Sequence, residues 1–297
     1  MQDANKKIMP GSNKIPSPRG KHNHFWRHWG ELILDTFLCR GLIAKCCYRL
    51  GLHGKLSVTQ YIISLTPVRA LPRPLTIAFL SDFHAGPTTH PQIFSDAFDA
   101  IAKHDVSLLL LGGDFISCKA HYIEKLIPMI ANVHAPLGKF AVLGNHDLWV
   151  DDDYLCQQLN NAGVRVLTNQ NARLPEPFSM ISVCGTDDPW TGEVDIAQAF
   201  KDSASIRLLL THAPDGLLFL NGEKFEVAFA GHTHGGQIAN SYGQPFMLPH
   251  GHLSKQYHHG LFDIPDNGQL IVSRGIGCTN LPLRVNAAPE LVLCTLI

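Results

Sequence analysis

Short runs of apolar residues recur along this chain from residue 75 onward, and many of them end at a glycine or a polar residue. Runs of four to eight apolar residues with such boundaries predict strands that are buried on both faces. On this basis we predict strands at Leu75–Ser81, Val106–Leu111, Lys139–Leu143, Val164–Leu167, Met180–Cys184, Ile206–Leu210, Glu226–Ala230, Gln269–Ser273 and Leu291–Leu296.

In the segments that separate the first four predicted strands, apolar residues repeat every three or four positions, which predicts amphipathic helices. The predicted helices are Ile93–Lys103, Tyr122–Val133 and Asp151–Ala162. Strands that alternate with helices predict an α/β fold with parallel pairing in the first half. The closer, hairpin-like spacing of the later runs predicts a mixed sheet. We find no internal repeat and no second domain.

The N-terminal part of the chain has a different pattern. Residues 1–24 are polar and rich in proline and glycine, so we predict a disordered tail. Residues 25–50 predict an amphipathic helix with a broad apolar arc and tryptophans at one end, but no apolar run is long enough to span a membrane. Three interpretations stay open: a helix in a membrane interface, a helix packed on the protein's own core, or a lid that does both.

The charge distribution separates a basic arm from an acidic body. The net charge is only −1, yet residues 1–73 hold 12 Lys/Arg against 3 Asp/Glu, and the remainder holds 12 against 22. We therefore assign residues 25–73 to a basic, amphipathic N-terminal segment, for which membrane association is one of these interpretations, and residues 74–297 to the folded domain. An anionic membrane surface is the expected neighbour of such an arm, a solvated tail is the alternative, and we expect no nucleic-acid partner.

The cysteine pattern suggests a reducing compartment. The chain has eight cysteines and no C-x-x-C pair, and several of the cysteines lie in apolar runs. We predict free thiols and a cytoplasmic location, peripheral at the inner membrane. A composition of 45% hydrophobic and 16% charged residues fits a globular protein.

Polar residues gather in five short motifs that follow predicted strands. Together they offer three carboxylates, one amide and five imidazoles, which are ligands that divalent transition metals accept. Each motif alone also fits an ordinary turn, but the ordered set predicts one site for two metal ions. The motifs are Asp82-Phe83-His84, Gly112-Gly113-Asp114, Gly144-Asn145-His146-Asp147, Thr211-His212 and Gly231-His232-Thr233-His234.

These motifs resemble those of the calcineurin-like metallophosphoesterase superfamily, and the resemblance covers residues 74–297. It implies a β-sandwich of two mixed sheets flanked by helices, and hydrolysis of phosphoester bonds with two divalent metal ions. Mn²⁺ is the expected metal, with Fe, Zn²⁺ and Mg²⁺ as alternatives.

The resemblance also implies a role for each motif residue. The first metal would bind Asp82, His84 and His234. The second would bind Asn145, His212 and His232, and Asp114 would bridge the two. His146 would act as general acid or transition-state stabiliser, with Asp147 as its orienting or electrostatic partner. Ligand histidines need an acceptor for their second N–H, which we expect from Asp215 or Asp187.

Finer features, Gly231–Gln237 and the segment around Ser273–Leu291, resemble a bacterial phosphodiesterase branch with N-terminal extensions at the membrane. That branch includes enzymes for lipid-linked pyrophosphates such as UDP-2,3-diacylglucosamine, so we expect a lipid-linked substrate. Arg274 and Arg284 are candidates for contacting it, or are structural ion-pair partners. The alternatives are a soluble phosphodiesterase for nucleotides or general phosphoesters, and a non-catalytic scaffold. The oligomeric state is not predicted.

Overall fold

The computed structural model describes residues 30, 33, 35–65 and 71–297, so the predicted tail 1–24 lies outside the described residues. Twelve strands in the described ranges form two six-stranded sheets, and each sheet contains both parallel and antiparallel pairs. The predicted α/β sandwich of two mixed sheets is therefore confirmed.

The first sheet contains the strands that precede three of the five motifs. Its order is β1-β12-β2-β3-β4-β5, and β2, β3, β4 and β5 run parallel, as the sequence predicts. The bounds are β1 Ser57–Ile63, β2 Leu75–Leu80, β3 Leu108–Leu111, β4 Lys139–Ala141, β5 Val164–Val166 and β12 Glu290–Leu296.

The second sheet contains the strands before the other two motifs. Its order is β10-β11-β9-β8-β7-β6, with parallel pairs in the centre and an antiparallel pair at each edge. The bounds are β6 Gln170–Arg173, β7 Ile181–Gly185, β8 Ile206–Leu210, β9 Val227–Ala230, β10 Gly260–Asp263 and β11 Gln269–Val272. The sequence missed β1, β6 and β10, which are edge strands with more polar residues.

Helices cover the outer faces of the sheets. The predicted helix Tyr122–Val133 is wrong as one element, because it is divided into the 3-10 helix Ala120–Lys125 and the α-helix Ile127–Asn132. Pro128 explains the division, since a proline inside a helix removes one hydrogen bond and clashes with the preceding turn. The α-helices are α1 Leu42–Arg49, α2 Gln92–Ile101, α3 Ile127–Asn132, α4 Asn145–Val150, α5 Asp152–Asn161 and α6 Ile196–Phe200.

One apolar core lies between the two sheets, and another lies between the first sheet and the helices that cover it. In β2, Ile77 and Phe79 join the cluster shared with the second sheet, whereas Ala78 and Leu80 join the cluster under the helices. The ring of Phe79 lies 5.4 Å from that of Phe229 on β9. Burial on both faces explains why the strand sequences are continuously apolar.

The N-terminal segment packs on the domain. The backbone breaks at Arg40 and Gly41, which both have positive φ, so a single helix over 25–50 is wrong for the described part. The carboxylate of Asp35 is buried and accepts hydrogen bonds from Lys119 (2.5 Å) and the Tyr122 hydroxyl (3.1 Å). The side chain of Asp35 therefore faces the domain.

Candidate metal centre

The five motifs meet at one edge of the sandwich. β2, β3 and β4 are parallel neighbours, and so are β8 and β9. The carboxyl ends of parallel strands lie at the same edge of a sheet, which is where α/β folds place their functional groups. Each motif begins within four residues of the end of one of these strands.

At this edge, buried side chains form three overlapping groups that could each hold a metal ion. The ligand atoms within each group lie within 4.8 Å of one another. The groups are Asp82 with His84 and His234, His84 with Asp114 and His146, and Asp114 with His212 and His232.

The first group joins the two sheets. The Nε2 atom of His84, after β2, lies 3.0 Å from the Nε2 atom of His234, after β9. The same atom of His234 lies 3.6 Å from the Oδ1 atom of Asp82. Three donor atoms from two sheets therefore converge on one point.

Asp114 lies between this group and the next. Its Oδ2 atom is 3.5 Å from Nε2 of His84 and 3.4 Å from Nε2 of His212. Its Oδ1 atom accepts a 2.9 Å hydrogen bond from the backbone N–H of His146, which fixes the carboxylate plane. One carboxylate oxygen thus faces both groups.

The second group is built around His212. Its Nε2 atom lies 3.2 Å from Oδ1 of Asn145 and 3.2 Å from Nδ1 of His232. An amide oxygen and two ring nitrogens, with Asp114 beside them, form a mixed nitrogen and oxygen donor set.

Backbone carbonyls orient two of the candidate ligand rings. The second ring nitrogen of His212 lies 2.8 Å from the carbonyl of Gly112, and that of His232 lies 3.0 Å from the carbonyl of His250. Our expectation that Asp215 or Asp187 would serve these two histidines is wrong. Both carboxylates instead accept backbone N–H groups of nearby loops.

The motif residues hold an unusual backbone conformation. Left-handed φ is uncommon outside glycine and costs on the order of 1 kcal/mol or more at each residue, so its recurrence at one place marks a functional site. Five motif residues have φ between 43° and 70°: Asp82, His84, Asp114, His232 and His234.

Two motif glycines are required for space. A Cβ atom on Gly144 would lie 2.3 Å from Oδ1 of Asp114, and one on Gly231 would lie 2.3 Å from Oδ2 of Asp82. Neither glycine has positive φ. These two glycines therefore let the backbone approach the carboxylates of Asp114 and Asp82 closely.

Burial controls the protonation of the cluster. It lowers the pKa of His84 and of His234 well below the ordinary value, so both rings are neutral at neutral pH. It raises the pKa of Asp82 to about 6. For Asp114, burial acts in the same direction, but the neighbouring His212 holds the pKa of that carboxyl well below its usual range.

The residues present fit a pair of divalent cations. Neutral imidazoles and ionised carboxylates are the forms that bind metal, and a divalent charge would offset the cost of burying the acidic groups. The buried donors are oxygen and nitrogen atoms, a set that divalent transition metals accept.

His146 and Asp147 have different surroundings. The ring of His146 packs edge-on against His84 at 4.7 Å and lies 4.5 Å from Trp149. Asp147 accepts the backbone N–H groups of Phe115 (2.9 Å) and Gly144 (3.0 Å). The expectation that Asp147 orients His146 directly is therefore not met: its carboxylate ties together the loops that carry Asp114 and Asn145.

The two predicted substrate arginines are engaged within the protein. Arg284 is buried and donates to the carbonyls of Gly277 (2.9 Å) and Ala287 (2.9 Å), and it lies 3.3 Å from Nδ1 of His234. Arg274 pairs with the buried carboxylate of Glu290 at 3.2 Å. These contacts fit the alternative that both arginines are structural partners within the protein. The guanidinium of Arg284 also lies against the ring of His234 and helps to hold it in place.

Sequence reasoning missed Trp149 and Trp190, whose rings lie beside the motif histidines. Trp149 lies two residues after the third motif, and Trp190 follows Asp187-Asp188-Pro189. A tryptophan in a polar turn, as at position 190, is the signal that could have drawn attention to it.

The comparisons with known proteins agree with this geometry. Residues 75–236 match the family model described as calcineurin-like phosphoesterase. The chain is 30% identical over 232 residues to phosphodiesterase YaeI of Escherichia coli strain K12, covering 75% of this chain and 83% of that protein. The chain therefore belongs to the calcineurin-like phosphoesterase family, whose members use divalent metal ions.

More distant similarities extend the comparison. The chain is 28% identical to the uncharacterized metallophosphoesterase Cj0846 of Campylobacter jejuni, over 76% of this chain but only 60% of that protein. The solved 5′-nucleotidase precursor from Thermus thermophilus aligns with 14% identity and a TM-score of 0.42, covering 73% and 56% of the two chains. A score this low carries no argument about function.

Proposed function

We propose that this metallophosphoesterase hydrolyses a phosphodiester or pyrophosphate bond with two divalent metal ions. The observation that carries the proposal is the position of Asp114, whose Oδ2 atom lies 3.5 Å from Nε2 of His84 and 3.4 Å from Nε2 of His212. A carboxylate shared by two ligand groups is the arrangement that holds two cations about 3.5–4 Å apart.

When bound, the two ions supply charge that neutralises the phosphate oxygens and lowers the pKa of a water nucleophile. Asp82, His84 and His234 would hold one ion, and Asn145, His212 and His232 the other. The chain's own contribution to proton transfer is His146, whose ring lies beside the cluster with little exposure to solvent. It would donate a proton, or a hydrogen bond, to the leaving oxygen.

Hydrolysis of bis-p-nitrophenyl phosphate tests the proposed reaction. The full chain is stripped of metal, reconstituted with Mn²⁺ and assayed beside the stripped protein. Metal-dependent release of nitrophenol is the expected result. Failure of the reconstituted protein to hydrolyse this ester would favour the scaffold alternative.

We further propose that the substrate is lipid-linked and that the protein acts peripherally at the inner membrane. None of the helices in the described ranges has the length and apolar content needed to cross a bilayer. The segment packed on the domain nevertheless exposes large apolar side chains to solvent, among them Phe37 at 76%, Leu42 at 63% and Leu50 at 75%. Exposed Arg40, Lys45 and Arg49 lie among them in the sequence.

This segment lies near the candidate metal centre. A Cβ atom on Gly41 would come 3.9 Å from Cα of Pro87, and Pro87 lines the same small cavity as His146. Apolar side chains with basic neighbours are typical of a surface that rests on anionic lipid. A lipid-linked phosphate held at that surface would need to move only a short distance to reach the site.

Vesicle co-sedimentation and turnover of UDP-2,3-diacylglucosamine in detergent test this finer proposal. The triple substitution Phe37→Ser, Leu42→Ser and Leu50→Ser should reduce binding to vesicles of anionic lipid. Leu218→Ser, at an exposed leucine of the second-sheet side, is the matched control. Unchanged vesicle binding by the triple variant, with turnover of only water-soluble esters, would favour the soluble phosphodiesterase.

A further inference from the structure

A second feature beside the candidate metal centre is a pair of aromatic rings, those of Trp190 and His250. The half-buried indole of Trp190 lies 6.1 Å from the ring of His232, at an interplanar angle of 69°. It also lies 5.4 Å from the ring of His250, at 44°. The fully buried Trp149 packs edge-on behind it at 5.8 Å. The indole is therefore supported on one side by a ring that also touches His146.

The loop that carries Trp190 is held by its own hydrogen bonds. Oδ2 of the buried Asp188 accepts the backbone N–H groups of Trp190 (3.1 Å) and Thr191 (2.5 Å). The carbonyl of Asp188 accepts the N–H of Gly192 at 3.0 Å. A Cβ atom on Gly192 would lie 2.4 Å from the carboxyl carbon of Asp187, so the loop is tightly closed. The position of the indole is thus fixed before any ligand binds.

His250 is tied to the same centre by its backbone. Its carbonyl oxygen lies 3.0 Å from Nε2 of His232, while the residue itself is exposed. The backbone of the His250 loop is therefore tied to His232, one of the candidate metal ligands. Two aromatic side chains, one on each of two separate loops, lie beside each other at the border of the centre.

We propose that Trp190, together with His250, is a stacking site for a nucleobase of the substrate. The inference rests on the proposed phosphodiesterase function and names its substrate class, a nucleoside phosphodiester or nucleotide pyrophosphate. Every nucleobase offers a flat π face, and aromatic side chains bind such faces with little dependence on the base. A phosphate held at the metal centre would place an attached nucleoside within reach of these rings.

A purely structural role for Trp190 makes a different prediction. If the indole only covers His232, its removal would weaken all phosphate ligands equally, because metal binding or loop order would suffer. A stacking role affects only ligands that carry a base. Two ligands that share ribose and phosphate but differ in the base therefore separate the two roles.

The test is the binding of uridine 5′-monophosphate and of ribose 5-phosphate to the metal-loaded full chain, measured by titration calorimetry. We expect the wild type to prefer the nucleotide, and Trp190→Ala to reduce that preference about 5- to 150-fold. Trp190→Phe should restore most of the preference. Tyr242→Ala, at an exposed aromatic residue elsewhere, should leave it unchanged.

Equal dissociation constants for the two ligands in the wild type would overturn the inference. So would an unchanged preference in Trp190→Ala, or an equal loss of both ligands in that variant. Because binding is measured without turnover, the result is independent of the catalytic proposal. A protein that prefers the nucleotide but hydrolyses no phosphoester would retain the stacking site and lose the proposed function.

Discussion

The Nε2 atom of His84 lies 3.0 Å from the Nε2 atom of His234, although 150 residues separate them in sequence. His84 follows a strand of the first sheet, and His234 follows a strand of the second. Burial holds the pKa of both rings well below the ordinary value, so at neutral pH both rings are uncharged and each leaves one ring nitrogen free of a proton. A metal ion shared by the two rings would therefore link the two sheets.

Removal of metal should destabilise the protein. A ligand present at 100 times its dissociation constant stabilises the folded state by about 2.7 kcal/mol. Dialysis against a chelator should therefore lower the melting temperature by several degrees, and Mn²⁺ should restore it. Differential scanning calorimetry with metal analysis of each sample checks this, and an equal melting temperature with and without bound metal would contradict it.

Asp114→Ala should abolish both metal binding and hydrolysis. The substitution removes the only carboxylate oxygen that faces both His84 and His212 among the described residues. We expect fewer than one tightly bound ion per chain by elemental analysis. Asp153→Ala, at an exposed carboxylate of α5, is the control that should keep the wild-type content.

His146→Ala should separate metal binding from turnover. If the ring acts on the leaving group, its loss should reduce kcat by about 10²- to 10⁴-fold while metal content stays at the wild-type level. His146 also lies in one of the three groups that could hold a metal ion, together with His84 and Asp114. Metal analysis of the variant therefore distinguishes a metal ligand from a residue that acts on the leaving group. Loss of an ion from this variant would show that His146 is a ligand.

Asp147→Asn should destabilise the protein, because the Asp147 carboxylate connects the loops that carry Asp114 and Asn145. The carboxylate accepts N–H groups on both oxygens, from Phe115 and from Gly144, whereas an amide can accept on only one. The unsatisfied N–H should cost about 1–3 kcal/mol in the free energy of unfolding. Urea denaturation measures that loss, and a variant with lower kcat but wild-type stability would instead support a direct catalytic role.

Glu290→Gln should destabilise the junction of β1 and β12. The buried carboxylate of Glu290 contacts Arg274 at 3.2 Å and His259 at 3.1 Å. Burial alone would raise its pKa, but the hydrogen bond from His259 and the charges of His259 and Arg274 hold the pKa below its ordinary value. Breaking such a buried pair costs about 3–5 kcal/mol.

The pH dependence of that cost follows from the lowered pKa. The contribution of Glu290 is complete above the unfolded pKa of about 4.3 and disappears as the pH falls through the lower folded value. The stability difference between wild type and Glu290→Gln should therefore be present at about pH 5 and shrink below about pH 4. Urea unfolding at about pH 5 and below checks this, and a difference that grows between about pH 5 and about pH 3 would refute the assignment.

The strands before the motifs could be predicted because burial on both faces produces continuous apolar sequences, as in β2 and β9. The motif residues could be placed together because those strands end at one edge of the sandwich. Edge strands such as Gln170–Arg173 were missed, since a half-exposed strand has no continuous apolar run.

Contacts between distant residues could not be predicted from local patterns. The burial of Asp35 depends on Lys119 and Tyr122, which lie more than 80 positions away. The side chain of Arg284 folds onto the carbonyls of Gly277 and Ala287, and no sequence signal distinguishes such an arginine from one that binds phosphate. Long-range pairing of this kind is set by the tertiary fold.

The most direct test of the two-metal account is hydrolysis of bis-p-nitrophenyl phosphate as Mn²⁺ is added stepwise to metal-free protein. The account predicts no activity without metal and a rise that reaches its plateau at two equivalents per chain. A plateau at one equivalent, or full activity in the metal-free protein, would contradict it.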